Sequence, residues 1–140
     1  MIAIGCDHGG FFLKEEILKY FDSSDIKYKD FGIFSNIKTD YPVIAKEVAN
    51  HVAKNEFEKG ILFCGTGLGM SITANKIKNI RAICATDIYS VKYSRLHNNA
   101  NILCLGGRVI GSGLAIELIN IFLNTDFEGG RHKTRINMIE

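Results

Sequence analysis

Five short apolar runs divide this chain, and a longer segment of helical character follows each: Ile2–Cys6, Ile26–Phe31, Ile61–Cys64, Ala82–Ala85 and Ile102–Leu105. Ile26–Phe31 is the weakest strand candidate, because half of its residues are charged. The segments between read as helices over Phe12–Phe21, Pro42–Lys54, Gly69–Lys76, Ile88–Leu96 and Gly111–Leu123, with Ser35–Asp40 a loop. In the first helix Phe12, Ile17, Leu18 and Phe21 make an apolar side against Lys14, Glu15, Glu16 and Lys19. In the second, Val43, Ala45, Val48, Ala49 and Val52 point inward, and Pro42, the only proline, suits a first helical turn. Strands that alternate with helices have few ways to pack. The crossovers are right-handed, the strands run parallel, and helices cover both faces of the sheet. The expected fold is therefore α/β: a three-layer α/β/α sandwich around a Rossmann-like five-stranded parallel sheet. It forms a single domain over residues 1–140, ending in a basic tail, Gly129–Arg135, and a short terminal helix.

Composition narrows the function. The chain has 140 residues, of which 46% are hydrophobic, enough for the core of one domain. A formal net charge of +2 gives no broad basic field for nucleic acid. There is no run of 18 apolar residues, so no membrane span is expected. The first residues read as a strand and lack the basic start and long apolar stretch of a signal peptide. Four cysteines, Cys6, Cys64, Cys84 and Cys104, form no C-x-x-C pair, which fits a reducing cytoplasm better than a disulfide framework. The histidines His8, His51, His97 and His132 show no zinc-site spacing with these cysteines, so no metal is expected.

In parallel sheets of this kind ligands sit beyond the carboxyl ends of the strands. Those ends carry Cys6-Asp7-His8, Cys64-Gly65-Thr66, Ala85-Thr86-Asp87 and Gly106-Gly107-Arg108. The richest is Cys64, which closes a buried strand and precedes Gly65-Thr66-Gly67-Leu68-Gly69 and a helix start. Free N–H groups and a positive dipole there favour a thiolate and can hold an oxyanion. Gly65, Gly67 and Gly69 let the backbone approach an anion closely. The turn is neither a dinucleotide fingerprint, since the third glycine comes one residue early, nor a Walker loop, since no Gly-Lys-Ser/Thr ends it. The other three cysteines read as core fillers. Asp7 beside His8 fits either a cap or a site. His97-Asn98 fits a helix end as well as a ligand contact. Arg131 and Arg135, four apart on one helix face, suit a phosphate, though a solvated basic tail is the commoner meaning of such a run. Arg108 adds a cation or pairs with a carboxylate. A thiol, an imidazole, an anion cradle and cations together suit proton transfer on a small phosphorylated substrate.

Asp7-His8-Gly9-Gly10, the stretch from Cys64-Gly65-Thr66-Gly67 through Ser71-Ile72 to Ala74-Asn75-Lys76, His97-Asn98 with Ala100-Asn101, and Gly129-Gly130-Arg131-His132 with Arg135 resemble the type B ribose-5-phosphate isomerases over nearly the whole chain. That family includes allose- and galactose-6-phosphate isomerases. The resemblance implies interconversion of ribose 5-phosphate and ribulose 5-phosphate through an enediolate, in the pentose phosphate pathway, with no cofactor and no metal. Cys64 would be the base, with the turn Gly65, Gly67 and Gly69 holding the enediolate oxygen. Thr66 and His97 would open the sugar ring, and Asp7 and Asn98 would bind hydroxyls. His8, Arg131 and Arg135 would bind the phosphate, helped by Arg108. The resemblance also implies a homodimer, or a tetramer of two dimers, with shared active sites. His97, Asn98 and the arginines would then come from the partner, and the tail, about residues 124–140, would pack on it. Relatives with a glutamate base differ at Ser71-Ile72-Thr73, where this chain has none. Two alternatives remain: a six-carbon sugar phosphate as substrate, or a phosphosugar-binding module without catalysis. Tyr41, Ile33 and Phe34 are candidates to border the sugar.

Overall fold

The computed structural model describes residues 1–140. Its elements run β1 (Ile2–Cys6), α1 (Phe11–Ser23), β2 (Tyr28–Asp30), α2 (Tyr41–Ala53), β3 (Lys59–Cys64), α3 (Leu68–Ala74), β4 (Ala82–Cys84), α4 (Ile88–Leu96), β5 (Ile102–Gly106), α5 (Ser112–Asn124) and α6 (Arg131–Asn137). The five strands form one sheet in the order β2-β1-β3-β5-β4, and every pair is parallel. This is the expected α/β class. The weak second strand shrinks to three residues at the sheet edge, where its charged side chains meet less of the core.

Strand β3 lies at the centre and is buried along its whole length. Alternation sends Ile61 and Phe63 to one face and Leu62 and Cys64 to the other. The first face is covered by α1, α4 and α5 through Ile17, Phe21, Val91, Leu118 and Phe122. The second is covered by α2 and α3 through Ala45, Val48, Val52, Met70 and Ala74. Each large side chain fully buried in these layers contributes about 1.5–3 kcal/mol. Helix α1, which follows β1, thus packs on one face, and α3, which follows β3, on the other. A crevice opens where they part, between the carboxyl ends of β1 and β3. Register brings Cys6 beside Phe63 and Cys64 beside Gly106, so the residues after β1, β3 and β5 meet at one level.

Two helix faces are rotated from the sequence reading. Val43 is exposed and Ile44 takes its place inward, with Ala45, Val48, Ala49 and Val52. In α1 Phe12 is exposed, and the inward set is Leu13, Lys14, Ile17, Leu18 and Phe21. Lys14, expected on the polar side, is fully buried. Its Nζ donates to both oxygens of Asp30, at 2.9 and 2.7 Å, and to Ile33 O at 2.6 Å. A buried ammonium is tolerated only with partners of this kind. The ion pair pins the loop after β2 to α1.

Candidate active site

Cys64 ends β3 and is 4% exposed. The chain then turns through Gly65 and Thr66 to Gly67, which caps α3 in the left-handed region at φ +82°. That conformation suits glycine, and a Cβ there would also lie 2.9 Å from Cys84 Sγ. The turn brings the Gly67 N–H to 3.0 Å from Cys64 Sγ. Leu68 N–H donates to Thr66 Oγ1 at 3.2 Å. The N–H groups of Gly65, Thr66, Gly69 and Met70 have no backbone acceptor, so the turn and the first turn of α3 carry free donors.

These residues floor a cavity of about 380 Å³ lined by Asp7, Tyr41, Cys64, Gly65, Thr66, Gly69, Ile72 and Arg108. Asp7 is 6% exposed, and its Oδ1 accepts from Gly9 N–H at 2.8 Å and Gly10 N–H at 3.1 Å. It makes an Asx turn; the residue that caps α1 is Gly10. Oδ2 is left for a ligand. The ring of Tyr41 lies against Gly69, where a Cβ would approach it to 2.6 Å. The guanidinium of Arg108 reaches over Gly65, within 3.1 Å of where a Cβ would stand. Nearby, His8 Nδ1 is 3.2 Å from both the N–H and the carbonyl oxygen of Thr39, accepting from the first in one tautomer and donating to the second in the other. The tautomer that accepts there carries its proton on Nε2, a donor for an anion. Of the three residues suggested as a sugar border, Tyr41 lines this cavity and Ile33 and Phe34 do not. Ile72 lines it too and was missed; its place three residues after Gly69, on the same face of α3, was the available signal.

His97, Asn98, Arg131 and Arg135 lie elsewhere. Helix α4 starts beyond the carboxyl end of β4 and runs back towards the amino end of β5. His97 caps its far end, one helix length, roughly 13 Å, below the rim that holds Cys64. The segment after α5 reaches the same lower rim: Glu128 N–H donates to Leu96 O at 3.1 Å, and Arg81 at the start of β4 pairs with Glu140. His132 stacks on His97 with centroids 3.9 Å apart and planes 12° apart. Arg131 and Arg135 share the outer face of α6, while His132 and Ile136 are buried against their own chain. The buried Arg95 joins these parts, donating to Thr125 O at 3.0 Å, Asn99 Oδ1 at 2.9 Å and Ala100 O at 2.5 Å. Burial lowers its pKa, with Glu58 and Asp126 opposing. Nothing in the local sequence separates Arg95 from a solvated helix arginine.

The remaining thiols differ among themselves. Cys6 and Cys104 are fully buried, and burial pushes Cys6 up to about 11 against the pull of Lys14. Burial raises Cys104 as well, well above its ordinary value. Cys84, expected in the core, is only half-buried beside Thr66 O at 3.5 Å, and burial and Cys64 raise it.

A sequence model of the ribose/galactose isomerase family matches residues 2–139. The chain belongs to that family. It is 46% identical over 138 residues to ribose-5-phosphate isomerase B of Escherichia coli, covering 99% of this chain and 93% of the relative. Among solved structures, a ribose 5-phosphate isomerase of Thermotoga maritima is 47% identical with a TM-score of 0.96, covering 99% of this chain and 95% of the other. Ribose-5-phosphate isomerase B of Mycoplasma genitalium, solved with bound ribulose 5-phosphate, is 38% identical with a TM-score of 0.93, covering 99% and 92%. Membership in the ribose/galactose isomerase family gives the strand-end cavity a reaction to be read against: proton transfer between adjacent carbons of a phosphorylated sugar.

Proposed function

We infer that this chain is an aldose–ketose isomerase that interconverts D-ribose 5-phosphate and D-ribulose 5-phosphate through an enediolate. The observation that carries the mechanism is the placement of Cys64 at the floor of the cavity, with the Gly67 N–H on its sulfur and further N–H groups open beside it. Relatives of the same length and fold bear this activity in their names, and one was solved with the ketose product.

The Cys64 thiolate takes the proton from C2 of the open-chain aldose, and the C2–H electron pair becomes the C1–C2 double bond of the enediolate. Negative charge develops on the C1 oxygen, and the free N–H groups of the Gly65–Gly69 turn stabilise it. The O2 hydroxyl proton passes to O1, the charge moves to the C2 oxygen, and return of the carbon proton from Cys64 to C1 gives the ketose and restores the thiolate. C1 is reduced and C2 oxidised within one molecule, so the chemistry closes without an added electron carrier. Asp7 holds sugar hydroxyls through its free oxygen. Tyr41, over Gly69, walls the cavity on the side of α2. His8 and Arg108 face the phosphate, whose binding energy orients the reacting carbons.

The reading extends to two copies. Thr66 and His97 open the ring, Asn98 binds a hydroxyl, and Arg131 and Arg135 close on the phosphate, but the last four occupy the opposite rim of the same chain. A second copy that presents its lower rim to the Cys64 cavity supplies them, so the working unit is a homodimer with two shared sites. Four unpaired cysteines suit a reducing compartment such as the cytoplasm. The test is ketose formation from ribose 5-phosphate by the purified chain in EDTA, with Cys64→Ala alongside. Turnover in the wild type and a loss of at least 1,000-fold in a folded Cys64→Ala protein is expected. Near-normal turnover in the variant would remove Cys64 as the base, and none in the folded wild type would shift the reading to a six-carbon sugar phosphate.

A further inference from the structure

On the lower rim, His97 stands beside two side chains, Glu128 and His132, to which the isomerase chemistry gives no role. His132 is 6% exposed, and its Nε2 is wholly covered and has no hydrogen-bond partner. It lies 3.4 Å from Glu128 Oε2. His97 stacks on the same ring, and one ligand atom from each of His97, Glu128 and His132 falls within 4.8 Å of the others. The Nε2 atom has lost its hydration, and its carboxylate neighbour Glu128 stands within ion-pair distance without making a hydrogen bond, so a group that satisfies both is favoured.

The chemistry of that group follows from its neighbours. Two imidazole nitrogens and one carboxylate oxygen are the donor set of a three-ligand zinc centre with an open fourth position. Nitrogen donors select against calcium and magnesium, which take oxygen. We propose that His97, Glu128 and His132 form a binding site for one zinc-class divalent transition-metal ion per chain.

The site is preformed at His132 and adjustable elsewhere. A tetrahedral ion needs its ligands roughly 3.4 Å apart, so the group must contract by more than an ångström. Glu128, with a side chain 49% exposed, is free to swing. His97 must turn out of its parallel stack so that its lone pair converges with that of His132, and ring contacts with Tyr93 and His132 are all that hold it. Arg131 and Arg135 lie on the same helix and oppose a cation, so affinity is well below that of a closed structural zinc site. The sequence hid this group because its members are 31 and four residues apart and lack the spacing of a zinc motif.

The test is a Zn²⁺ titration of the full-length chain by calorimetry near neutral pH, on a Cys64→Ala/Cys84→Ala background so that the accessible thiols do not take the ion. Nitrogen-15 spectra of the histidine rings report which rings respond. The expected result is saturable uptake of one ion per chain, movement of the His97 and His132 ring resonances together, and affinity at least tenfold weaker in Glu128→Gln. His132→Asn should abolish binding, and Glu128→Gln, at an exposed position, keeps the test decisive if that variant misfolds. No saturable uptake, equal affinity in Glu128→Gln, or movement of His8 or His51 alone would overturn the proposal. The readout is ion binding and not turnover, so its failure is separate from failure of the isomerase reading.

Discussion

Mixing two inactive variants should restore activity in a fixed proportion. Cys64 stands at the carboxyl rim of the sheet and His97 at the amino rim of the same chain, a helix length apart. If each working site takes Cys64 from one copy and His97 from the other, Cys64→Ala and His97→Ala homodimers are both dead. Equal amounts, unfolded together and refolded, pair at random, so about half the dimers are mixed. In a mixed dimer one site carries both substitutions and the other carries neither. One site in two is then intact, and the mixture recovers about one quarter of the wild-type specific activity. The control inverts the arithmetic. A Cys64→Ala/His97→Ala chain mixed with an equal amount of wild type spoils both sites of every mixed dimer, so turnover per wild-type chain falls by about half. Ketose formation from ribose 5-phosphate is the assay, and native mass spectrometry counts the mixed dimers. Mixed dimers without recovered turnover would refute the shared site, as would a control mixture that keeps the full activity of its wild-type half.

Three further outcomes follow from the same contacts. Gly67→Ala should lose about 1–2 kcal/mol of stability from the left-handed backbone alone, more from the 2.9 Å approach to Cys84 Sγ. Displacing its N–H from Cys64 should cut kcat about 10- to 100-fold, while kcat within twofold of wild type would remove that N–H from the mechanism. Lys14→Met strands Asp30 and should cost about 3 kcal/mol in urea unfolding, with partial recovery in Lys14→Met/Asp30→Asn; a loss below about 1 kcal/mol would contradict a buried ion pair. Because the folded pKa of His132 lies below its ordinary 6.5, the unfolded chain binds its proton first as pH falls. Stability is therefore full above about pH 6.5 and declines below it. His132→Asn should flatten that decline in thermal melts recorded from neutral to mildly acidic pH, and an unchanged slope would assign it to another group.

Element type was legible wherever a local pattern decided it. Pro42 marked the start of α2, and the run Ile61–Cys64 marked a strand buried on both faces. Helix phase was legible only to within one residue. Val43 and Ile44 are both apolar, and the choice between them rests on how α2 meets Gly5, where Ile44 sits against the sheet. Lys14 was misread because amphipathic patterning assigns charge to water, and a partner such as Asp30, sixteen residues away, leaves no periodic trace. At the candidate site, Cys64 and its turn were visible as consecutive residues. Tyr41 and Arg108 reach the same cavity from distant elements, and the buried link through Arg95 looks like any helix arginine until the fold closes around it.

The sequence by itself determined the α/β class, the order of the elements, and a thiol followed by a glycine turn before a helix. These are consequences of local periodicity and backbone conformation, which act within a few residues. Tertiary structure alone decided the strand order β2-β1-β3-β5-β4 and which helices cover which face. That order sets Asp7, Cys64 and Arg108 around one cavity and sends His97 and the arginines of α6 to the opposite rim. The reason is geometric. Each parallel crossover returns the chain to the amino end of the sheet, so a residue at the far end of a helix cannot share a rim with a residue at the carboxyl end of a strand.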